Sequence, residues 1–216
     1  MKESVSCQLE TLIARHPALA DAKADIVAAF ETLAASFAAG GQLLIAGNGG
    51  SAADAEHIVG ELMKSFVLPR TMDSDFRFAA ESADPDLGPV LADGLQAALP
   101  AIALNAHTAL GTAWLNDCAP ELVYAQQVAG YGRPGDVLLG ITTSGNSADI
   151  LYAAVAARAK GMKVIGLTGE SGGRLAAQAD VCVRVPERET FKVQELHLPV
   201  YHCLCLMLEQ HFFGNQ

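Results

Sequence analysis

The sequence lacks the segments that place a protein in or across a membrane. No apolar run reaches the roughly 20 residues that cross a bilayer as a helix. The opening residues, MKESVSCQLE, contain no apolar stretch of the kind that a signal peptide needs. We therefore expect a cytoplasmic protein with no membrane partner.

Basic residues are also scarce. The chain has 14 lysines and arginines against 24 aspartates and glutamates, so its formal net charge is −10. This balance argues against nucleic acid as a partner, although a local site can still bind a small anion. Charged residues make up 18% and hydrophobic residues 51% of the 216 residues, which excludes a disordered chain. We expect one compact domain over 1–216.

The cysteines form no recognisable framework. There are five, an odd number, and none belongs to a CxxC pair: Cys7, Cys118, Cys182, Cys203 and Cys205. Three of them lie in apolar runs, where reduced and buried thiols are the usual state. We therefore expect reduced thiols.

Short apolar runs alternate with helical patterns from residue 42 onward. The runs are 42–46, 100–104, 135–141, 162–168 and 180–185. Helices are predicted from Ser51, over HTALGTAWL, from Ser147, near 172–178 and over about 191–212. Near-continuous Val/Ile/Leu runs joined by helical crossovers are typical of an α/β fold, with a parallel sheet that helices cover on both faces.

Two segments lie outside this alternation. Residues 5–38 predict two helices, the second over about 19–38 and ending at Gly40-Gly41. These alanine-rich helices form an N-terminal extension, 1–40, that we expect to make oligomer contacts. The segment 66–99 is polar and proline-bearing in its first half and helical in pattern at GPVLADGLQAAL. We interpret it as a variable insert that serves as a lid, as an interface arm or as a tolerated insertion.

The first apolar run ends in a glycine-rich turn, GNGGS (47–51), that opens a helix. Glycines let a backbone approach a ligand closely, and the start of a helix offers unpaired N–H groups that favour anions. The turn is neither G-x-G-x-x-G nor a Walker A loop, because no lysine follows, so a dinucleotide or a nucleoside triphosphate is poorly supported. A tight structural turn with Ser51 as the N-cap stays open.

A second turn, TTSGNS (142–147), also joins a strand to a helix. All but one of its residues carry a hydroxyl or an amide, whereas capping a helix needs one such residue. Clustered hydroxyls beside a helix N-terminus suit a phosphate with several acceptor oxygens. Because both turns end parallel strands, they should lie at the same edge of the sheet and bind a phosphorylated small molecule.

Two distant segments contribute polar side chains that suit proton transfer. His57 and Glu61 are four residues apart, so they project from one face of the helix that is predicted from Ser51. Gln194 and His202 lie in VQELHLPVYH of the last helix. A pair such as His57 and Glu61 is more often a surface contact, and a histidine among apolar residues is more often a core residue. A functional role for these residues requires the helix that carries His57 and Glu61 to contact the last helix.

These motifs together resemble a known family. GNGGSAADAEH…E, LND, LLGITTSGNS, VIGLTG and VQELHLPVYH are similar, in order and spacing, to the sugar isomerase (SIS) domain proteins, and most of all to the phosphoheptose isomerases. The similarity covers about 20–212 apart from 66–99. It implies a three-layer sandwich around a flavodoxin-like sheet of five parallel strands. It also implies a homotetramer whose sites lie at subunit interfaces.

The resemblance implies an aldose–ketose isomerase that interconverts sedoheptulose 7-phosphate and D-glycero-D-manno-heptose 7-phosphate through an enediol. The implied acid/base pair is Glu61 and His202. The implied zinc ligands are His57, Glu61, Gln194 and His202. The implied sugar-phosphate contacts are Asn48, Gly49, Gly50, Ser51, Asn116, Asp117, Thr142, Thr143, Ser144, Ser147 and Gln194.

The chain departs from the family pattern at three places. Lys64 and Ser65 stand where the family has an arginine, and Phe191 stands where an aspartate is common. His107 is either a site residue or, by our preference, a residue at a helix start. These departures bear on the choice of sugar more than on isomerase chemistry.

Two functions compete with an isomerase. A sugar-phosphate sensor would keep both turns without needing an acid/base pair. An adaptor of this family that binds the replication initiator protein resembles the chain near its C-terminus, but it lacks counterparts of Glu61 and His202. Because this chain has both residues, we favour the isomerase.

Overall fold

The computed structural model describes residues 2–214, and its centre is a parallel sheet of five strands. The strands are β1 (Leu43–Gly47), β2 (Ala101–Ala103), β3 (Val137–Ile141), β4 (Lys163–Thr168) and β5 (Val181–Arg184). They lie in the order β2-β1-β3-β4-β5, and each neighbouring pair is parallel. This is the flavodoxin-like order, so the predicted fold class is confirmed.

Helices cover both faces of the sheet. They are α1 (Glu3–Arg15), α2 (Lys23–Ala38), α3 (Gly50–Met63), α4 (Ser74–Ala83), α5 (Leu87–Gly94), α6 (Thr108–Asp117), α7 (Val123–Tyr131), α8 (Ala148–Ala159) and α9 (Thr190–Phe213). Among the residues described, no helix is both long enough and apolar enough to span a bilayer.

Successive strand residues serve two separate apolar clusters. Leu43 and Ile45 join residues of α1, α2, α3 and α9 on one face, whereas Leu44 joins residues of α7 and α8 on the other. Every residue of β1 and β3 is buried. Because side chains alternate across a strand, a strand with helices on both faces needs an unbroken apolar run. The result is the three-layer sandwich.

The N-terminal helices belong to the chain's own core. Val5, Leu9 and Leu12 of α1 are at most 5% exposed and pack in the cluster that contains α9. The apolar stripe of α1 is therefore used within the chain. Oligomer contacts through 1–40 remain a prediction, to be made by the outer surface of these helices.

The segment 66–99 holds a pair of helices, α4 and α5, that pack against each other. We expected a helix only in the second half, but Asp73 caps a helix in the first half by accepting a hydrogen bond from the Phe76 N–H at 2.7 Å. No residue of α4 is buried, and Phe78 and Val90 are 74% and 67% exposed. The pair thus presents apolar side chains to its surroundings.

One predicted helix is nearly absent. The pattern near 172–178 predicts a helix, but the structure has only a short 3₁₀ turn, Leu175–Ala177. Gly172 and Gly173 both have positive φ, which a right-handed helix does not allow. The prediction of a helix there was wrong because these residues form a loop.

A buried histidine on α9 should make stability depend on pH. His197 is 0% exposed, and neither of its ring nitrogens has a hydrogen-bond partner among the described residues. Burial lowers its pKa to about 4, and the nearby Thr168 backbone only partly offsets this effect. Between pH 6.5 and about pH 4, the unfolded chain therefore binds a proton at His197, whereas the folded protein leaves this histidine unprotonated.

We expect the free energy of unfolding to fall by about 3 kcal/mol as the pH drops from about 6.5 to about 4. Chemical denaturation across this pH range measures the effect. His197→Leu should remove most of the slope, whereas His16→Leu, at the end of α1, should keep it. Equal slopes in the wild type and in His197→Leu would contradict this assignment.

Candidate active site

The first turn lies between β1 and α3 at the carboxyl edge of the sheet. Gly49 is the N-cap residue of α3 and has a φ of 57°, a conformation that L side chains rarely adopt. No side chain caps the helix, and Ser51 lies inside α3, where it is 3% exposed. The alternative in which Ser51 is the N-cap therefore does not hold, and the turn presents mainly backbone.

The second turn lies between β3 and α8, and two of its hydroxyls bond to each other. Thr142 Oγ1 and Ser147 Oγ are 2.8 Å apart, and Ser144 Oγ accepts a hydrogen bond from the Asn146 N–H at 3.1 Å. Ser147 is the N-cap residue of α8, but its side chain makes no capping bond. The Ile150 N–H in the first turn of α8 donates to Asp149 Oδ1 at 2.9 Å, so only the two N–H groups before it can face an anion.

The second turn has a glycine that nothing larger can replace. Gly145 has a φ of 68°, and a Cβ there would overlap the carbonyl of Gly172 in the loop after β4. The Gly145 carbonyl also accepts a hydrogen bond from the Leu175 N–H at 3.0 Å. The shape of the turn therefore depends on close contact with this neighbouring loop.

Side-chain hydrogen bonds join the two turns. Asn48 Nδ2 donates to Asp149 Oδ2 at 2.8 Å, which links the first turn to the start of α8. Tyr124 of α7 donates to the Gly47 carbonyl at 2.7 Å. Burial, together with the Asp149 carboxylate, raises the pKa of Tyr124 to about 12, so its hydroxyl stays protonated. Asn48, Tyr124 and Asp149 also line a cavity of about 530 Å³.

The histidine and glutamate of α3 meet a histidine of α9. His57 Nε2 lies 3.1 Å from Glu61 Oε1 and 3.4 Å from His202 Nε2, although 145 residues separate the two histidines. The Glu61 side chain is 13% exposed, and its Oε2 is buried without a hydrogen-bond partner. Burial, followed by nearby His57, lowers the pKa of His202, and Glu61 opposes this shift. His202 is therefore a neutral base near pH 7.

A buried ion pair fixes the end of α3 just after Glu61. Arg70 donates to the carbonyls of Leu62 and Glu61, at 2.7 and 3.0 Å, and its Nε donates to Glu209 Oε1 at 2.9 Å. The side chains of Arg70 and Glu209 are both 0% exposed. Glu209 also accepts from the backbone N–H groups of Phe66, Val67 and Leu68. This network ties the chain after α3 to α9.

Gln194 reaches the first turn from the start of α9. A Cβ built at Gly50 would lie 2.6 Å from Gln194 Nε2, so the amide packs directly on the backbone where α3 begins. The same pair of helices therefore brings Gln194 to the turn and His202 to His57 and Glu61. Together the helices α3 and α9 surround one stretch of the carboxyl edge.

Comparison with known proteins identifies the family. Residues 78–169 match the model of the SIS domain. The chain is 40% identical over 191 residues to the phosphoheptose isomerase of Rhodospirillum rubrum, which covers 88% of each chain. The chain belongs to the phosphoheptose isomerases. This membership and the SIS match confirm the resemblance seen in the sequence.

Solved phosphoheptose isomerases have the same fold. The enzyme from Francisella tularensis superposes with a TM-score of 0.71 at 31% identity, over 94% of this chain and 98% of that chain. The enzyme from Neisseria gonorrhoeae gives a TM-score of 0.70 at 32% identity, over 95% of this chain and 91% of that chain. The match to the SIS model begins at residue 78, inside the segment that we interpreted as an insert.

The structure does not bring every expected residue of a phosphoheptose isomerase site together. Asn116 and Asp117 end α6, are exposed and bond to each other at 2.8 Å, and no hydrogen bond or ion pair among the described residues joins them to either turn. His107 precedes α6, as we expected, and also lines the 530 Å³ cavity with its Nε2 buried and unpartnered. Lys64, which stands where the family has an arginine, places its Nζ 3.6 Å from Glu61 Oε2.

The predicted zinc ligands are of suitable chemical types, but their side chains are not arranged as a complete metal-coordination site. Among the described residues, no group of three or more His, Cys, Asp or Glu already has the arrangement of a metal site. The 3.4 Å between the Nε2 atoms of His57 and His202 is close to the roughly 3.3 Å expected for two nitrogens on a tetrahedral zinc. Glu61 Oε2 accepts no hydrogen bond from the described residues, although Lys64 Nζ lies 3.6 Å from it, and the Gln194 amide packs on Gly50 instead.

Several residues of the site were not predicted from the sequence. Asp149 joins the first turn to the start of α8, and Tyr124 joins the first turn to α7. Arg70 fixes the end of α3, and Tyr201 contacts both His57 and Asp54. A tyrosine or an aspartate on a helix carries no local signal, because its partner is distant in sequence. The one available signal was the position of Tyr201 directly before His202.

Proposed function

We propose that this protein is a phosphoheptose isomerase that interconverts sedoheptulose 7-phosphate and D-glycero-D-manno-heptose 7-phosphate. The observation that carries this proposal is the meeting of Glu61, His57 and His202 beside two phosphate-type turns. A sugar-phosphate sensor would need the turns alone. Membership of a family of isomerases supports the same conclusion.

In the proposed complex, the phosphate binds at the second turn. The hydroxyls of Thr142, Thr143, Ser144 and Ser147 and the first N–H groups of α8 would hold its oxygens, as charge-assisted hydrogen bonds do. Asn48, Gly49, Gly50, Ser51 and Gln194 would position the sugar, together with Asn116 and Asp117 after α6 moves or a second subunit contributes. This fixes one end of the substrate and leaves C1 and C2 free to reach α3 and α9.

The proposed reaction moves a proton between C2 and C1 through an enediol. Glu61 takes the carbon-bound proton, because its carboxylate is shielded from water and its Oε2 accepts no hydrogen bond from the described residues. His202 moves a proton between the two sugar oxygens, since a neutral imidazole can both accept and donate one. Returning the proton to the adjacent carbon completes the interconversion of ketose and aldose.

We also propose that His57, Glu61, Gln194 and His202 bind one zinc ion. Zinc at this position would polarise the sugar carbonyl and stabilise negative charge on the enediolate oxygen. Two imidazole nitrogens and a carboxylate oxygen are donors that zinc takes in proteins. Gln194 would have to turn from Gly50 toward the histidines to complete the set.

The assembly that we propose is a cytoplasmic homotetramer with sites at subunit interfaces. The exposed apolar side chains of α4 and α5, including Phe78 and Val90, support an interface on that side. The 41% exposure of the His57 side chain leaves the site open on one side, where a neighbouring subunit could contribute. Sedimentation of the purified protein measures the number of subunits.

A turnover assay tests the proposed function. Sedoheptulose 7-phosphate in deuterium oxide should give the aldose with deuterium at C2. Ser147→Ala should raise KM by about tenfold or more, because a hydrogen bond to a charged group contributes about 1.5–3 kcal/mol. Ser82→Ala, on the exposed α4, is the control and should change nothing. Tight binding without turnover would favour the sensor, and neither binding nor turnover would favour the adaptor.

A further inference from the structure

A cavity of about 530 Å³ lies beside the first turn, between α6, α7 and the start of α8. Its volume is typical of a small-molecule pocket. None of the proposed catalytic or zinc-binding residues lines it, and of the proposed sugar-phosphate contacts only Asn48 does. Thr108, Thr112 and Glu121 on its walls are exposed, so the cavity is open to solvent. The proposed reaction therefore makes no use of this space.

Two amide oxygens on the cavity wall are buried without a hydrogen-bond partner among the described residues. Gln127 is 3% exposed, and its Nε2 donates to the Val123 carbonyl at 3.3 Å, which leaves Oε1 unpaired. Asn105 Nδ2 donates to Glu56 Oε1 at 2.7 Å, which leaves Oδ1 unpaired. Because a carbonyl and a carboxylate only accept, both amide orientations are fixed. Buried polar groups nearly always have a partner, so this wall lacks a hydrogen-bond donor.

The charges around the cavity decide which kind of donor fits. The lining residues include the carboxylates of Glu121 and Asp149 but no lysine or arginine. His107 Nε2 on the same wall is also buried and unpaired, and it can accept or donate according to its tautomer. A phosphate or a carboxylate would face like charges here, on a chain whose formal net charge is already −10. A cation that carries N–H donors meets both requirements.

We propose that this cavity binds a small organic amine. The ammonium group lies near the carboxylates of Glu121 and Asp149 and donates to the amide oxygens of Gln127 and Asn105, which turn toward it by rotation of their side chains. The apolar body of the ligand packs on Leu115 of α6, which is 55% exposed. This site is distinct from the phosphate-type turn, because no residue of 142–147 lines it.

Binding of an amine should affect the first turn. Asp149 Oδ2 accepts the 2.8 Å hydrogen bond from Asn48 that joins this turn to α8. An ammonium group at Asp149 competes with Asn48 for the same oxygen, so it should weaken the hold on a residue that is proposed to position the sugar. This consequence rests on the proposed function, whereas binding of the amine does not.

Two probes of opposite charge test the proposal. Tyramine and hydroxyphenylpropionate share a phenol ring on a short chain, but the first ends in an ammonium group and the second in a carboxylate. In saturation-transfer NMR titrations of the full chain, tyramine should bind with a Kd of about 1 mM or tighter, as is usual for a ligand of this size. The propionate should bind about tenfold more weakly or not at all, because it meets like charges.

A variant that fills the cavity should lose the amine. Gly111 of α6 lines the cavity, and a Cβ there would meet no atom within 4 Å, so the ring in Gly111→Phe has room to enter the space. This variant should abolish tyramine binding. Gly130→Phe on α7 is the matched control, because a Cβ there also meets no atom within 4 Å and Gly130 does not line the cavity. Thermal unfolding checks that both variants fold.

Glu121→Gln covers the case in which Gly111→Phe perturbs folding. Glu121 is exposed, so its substitution should weaken tyramine binding several-fold without affecting stability, whereas Glu31→Gln should change neither. The proposal is overturned if tyramine does not bind at about 10 mM, if Gly111→Phe binds it as the wild type does, or if the propionate binds as tightly. Bound tyramine should also raise KM for sedoheptulose 7-phosphate. Absence of turnover would remove the proposed function without affecting the binding result.

Discussion

Glu61→Gln is expected to lower kcat/KM for sedoheptulose 7-phosphate by about 10²–10⁴-fold, the usual contribution of general acid–base catalysis. Glutamine keeps the size of the side chain and its contact with His57, but it cannot accept a proton from carbon. Because Glu61 Oε2 has no hydrogen-bond partner among the described residues and lies 3.6 Å from the exposed Lys64 Nζ, the loss should fall on kcat more than on folding. Steady-state kinetics and thermal unfolding of the same variant measure the two separately.

The control for this experiment is Glu31→Gln. Glu31 is an exposed residue of α2, so its substitution removes the same charge without touching the site. It should leave kcat/KM unchanged. Full turnover that survives Glu61→Gln combined with His202→Ala would show that this pair does not perform the proton transfers.

Glu209→Ala is expected to lower the free energy of unfolding by about 3–5 kcal/mol, the cost of breaking a buried ion pair by removing one partner. The variant leaves the Arg70 guanidinium buried beside an empty space, and it deprives the backbone N–H groups of Phe66, Val67 and Leu68 of their acceptor. Chemical denaturation measures the loss. The Phe213 ring, 4.8 Å from the Arg70 guanidinium, cannot replace a carboxylate.

Two further variants isolate the ion pair. Arg70→Met combined with Glu209→Met removes both charges, and it should be more stable than either single substitution because no unpaired charge remains. Glu10→Ala breaks the exposed ion pair with Lys23 and should cost less than about 1 kcal/mol. A loss below 1 kcal/mol in Glu209→Ala would mean that water or another group replaces the carboxylate.

The sheet was predictable because each of its strands corresponds to a local apolar run in the sequence. Buried parallel strands require unbroken apolar runs, and all five runs in the sequence became strands with bounds that differ by one or two residues. The two turns then followed from the rule that parallel strands end at one edge. The meeting of α3 and α9 at His57 and His202 was a hypothesis that needed the fold.

Other parts of the molecule depend on tertiary contacts and gave little local signal. The helix α7 was not predicted, since Tyr124 and Gln127 are polar residues that are buried only by their surroundings. Arg70 lies in a proline-bearing stretch that reads as a loop, and its partner Glu209 is 139 residues away. Asn116 and Asp117 were placed by resemblance alone, and among the described residues they bond to each other and to neither turn.

The close packing of the loop after β4 against the second turn affects how loss-of-function variants of this protein should be interpreted. Gly173 lies in that loop, outside the second turn, yet a Cβ there would lie 2.5 Å from the Ser144 carbonyl oxygen. A genetic screen for loss of function would therefore recover substitutions in that outer loop alongside those in the second turn. Such alleles would be mistaken for ligand contacts, although their defect would lie in the backbone support of the turn.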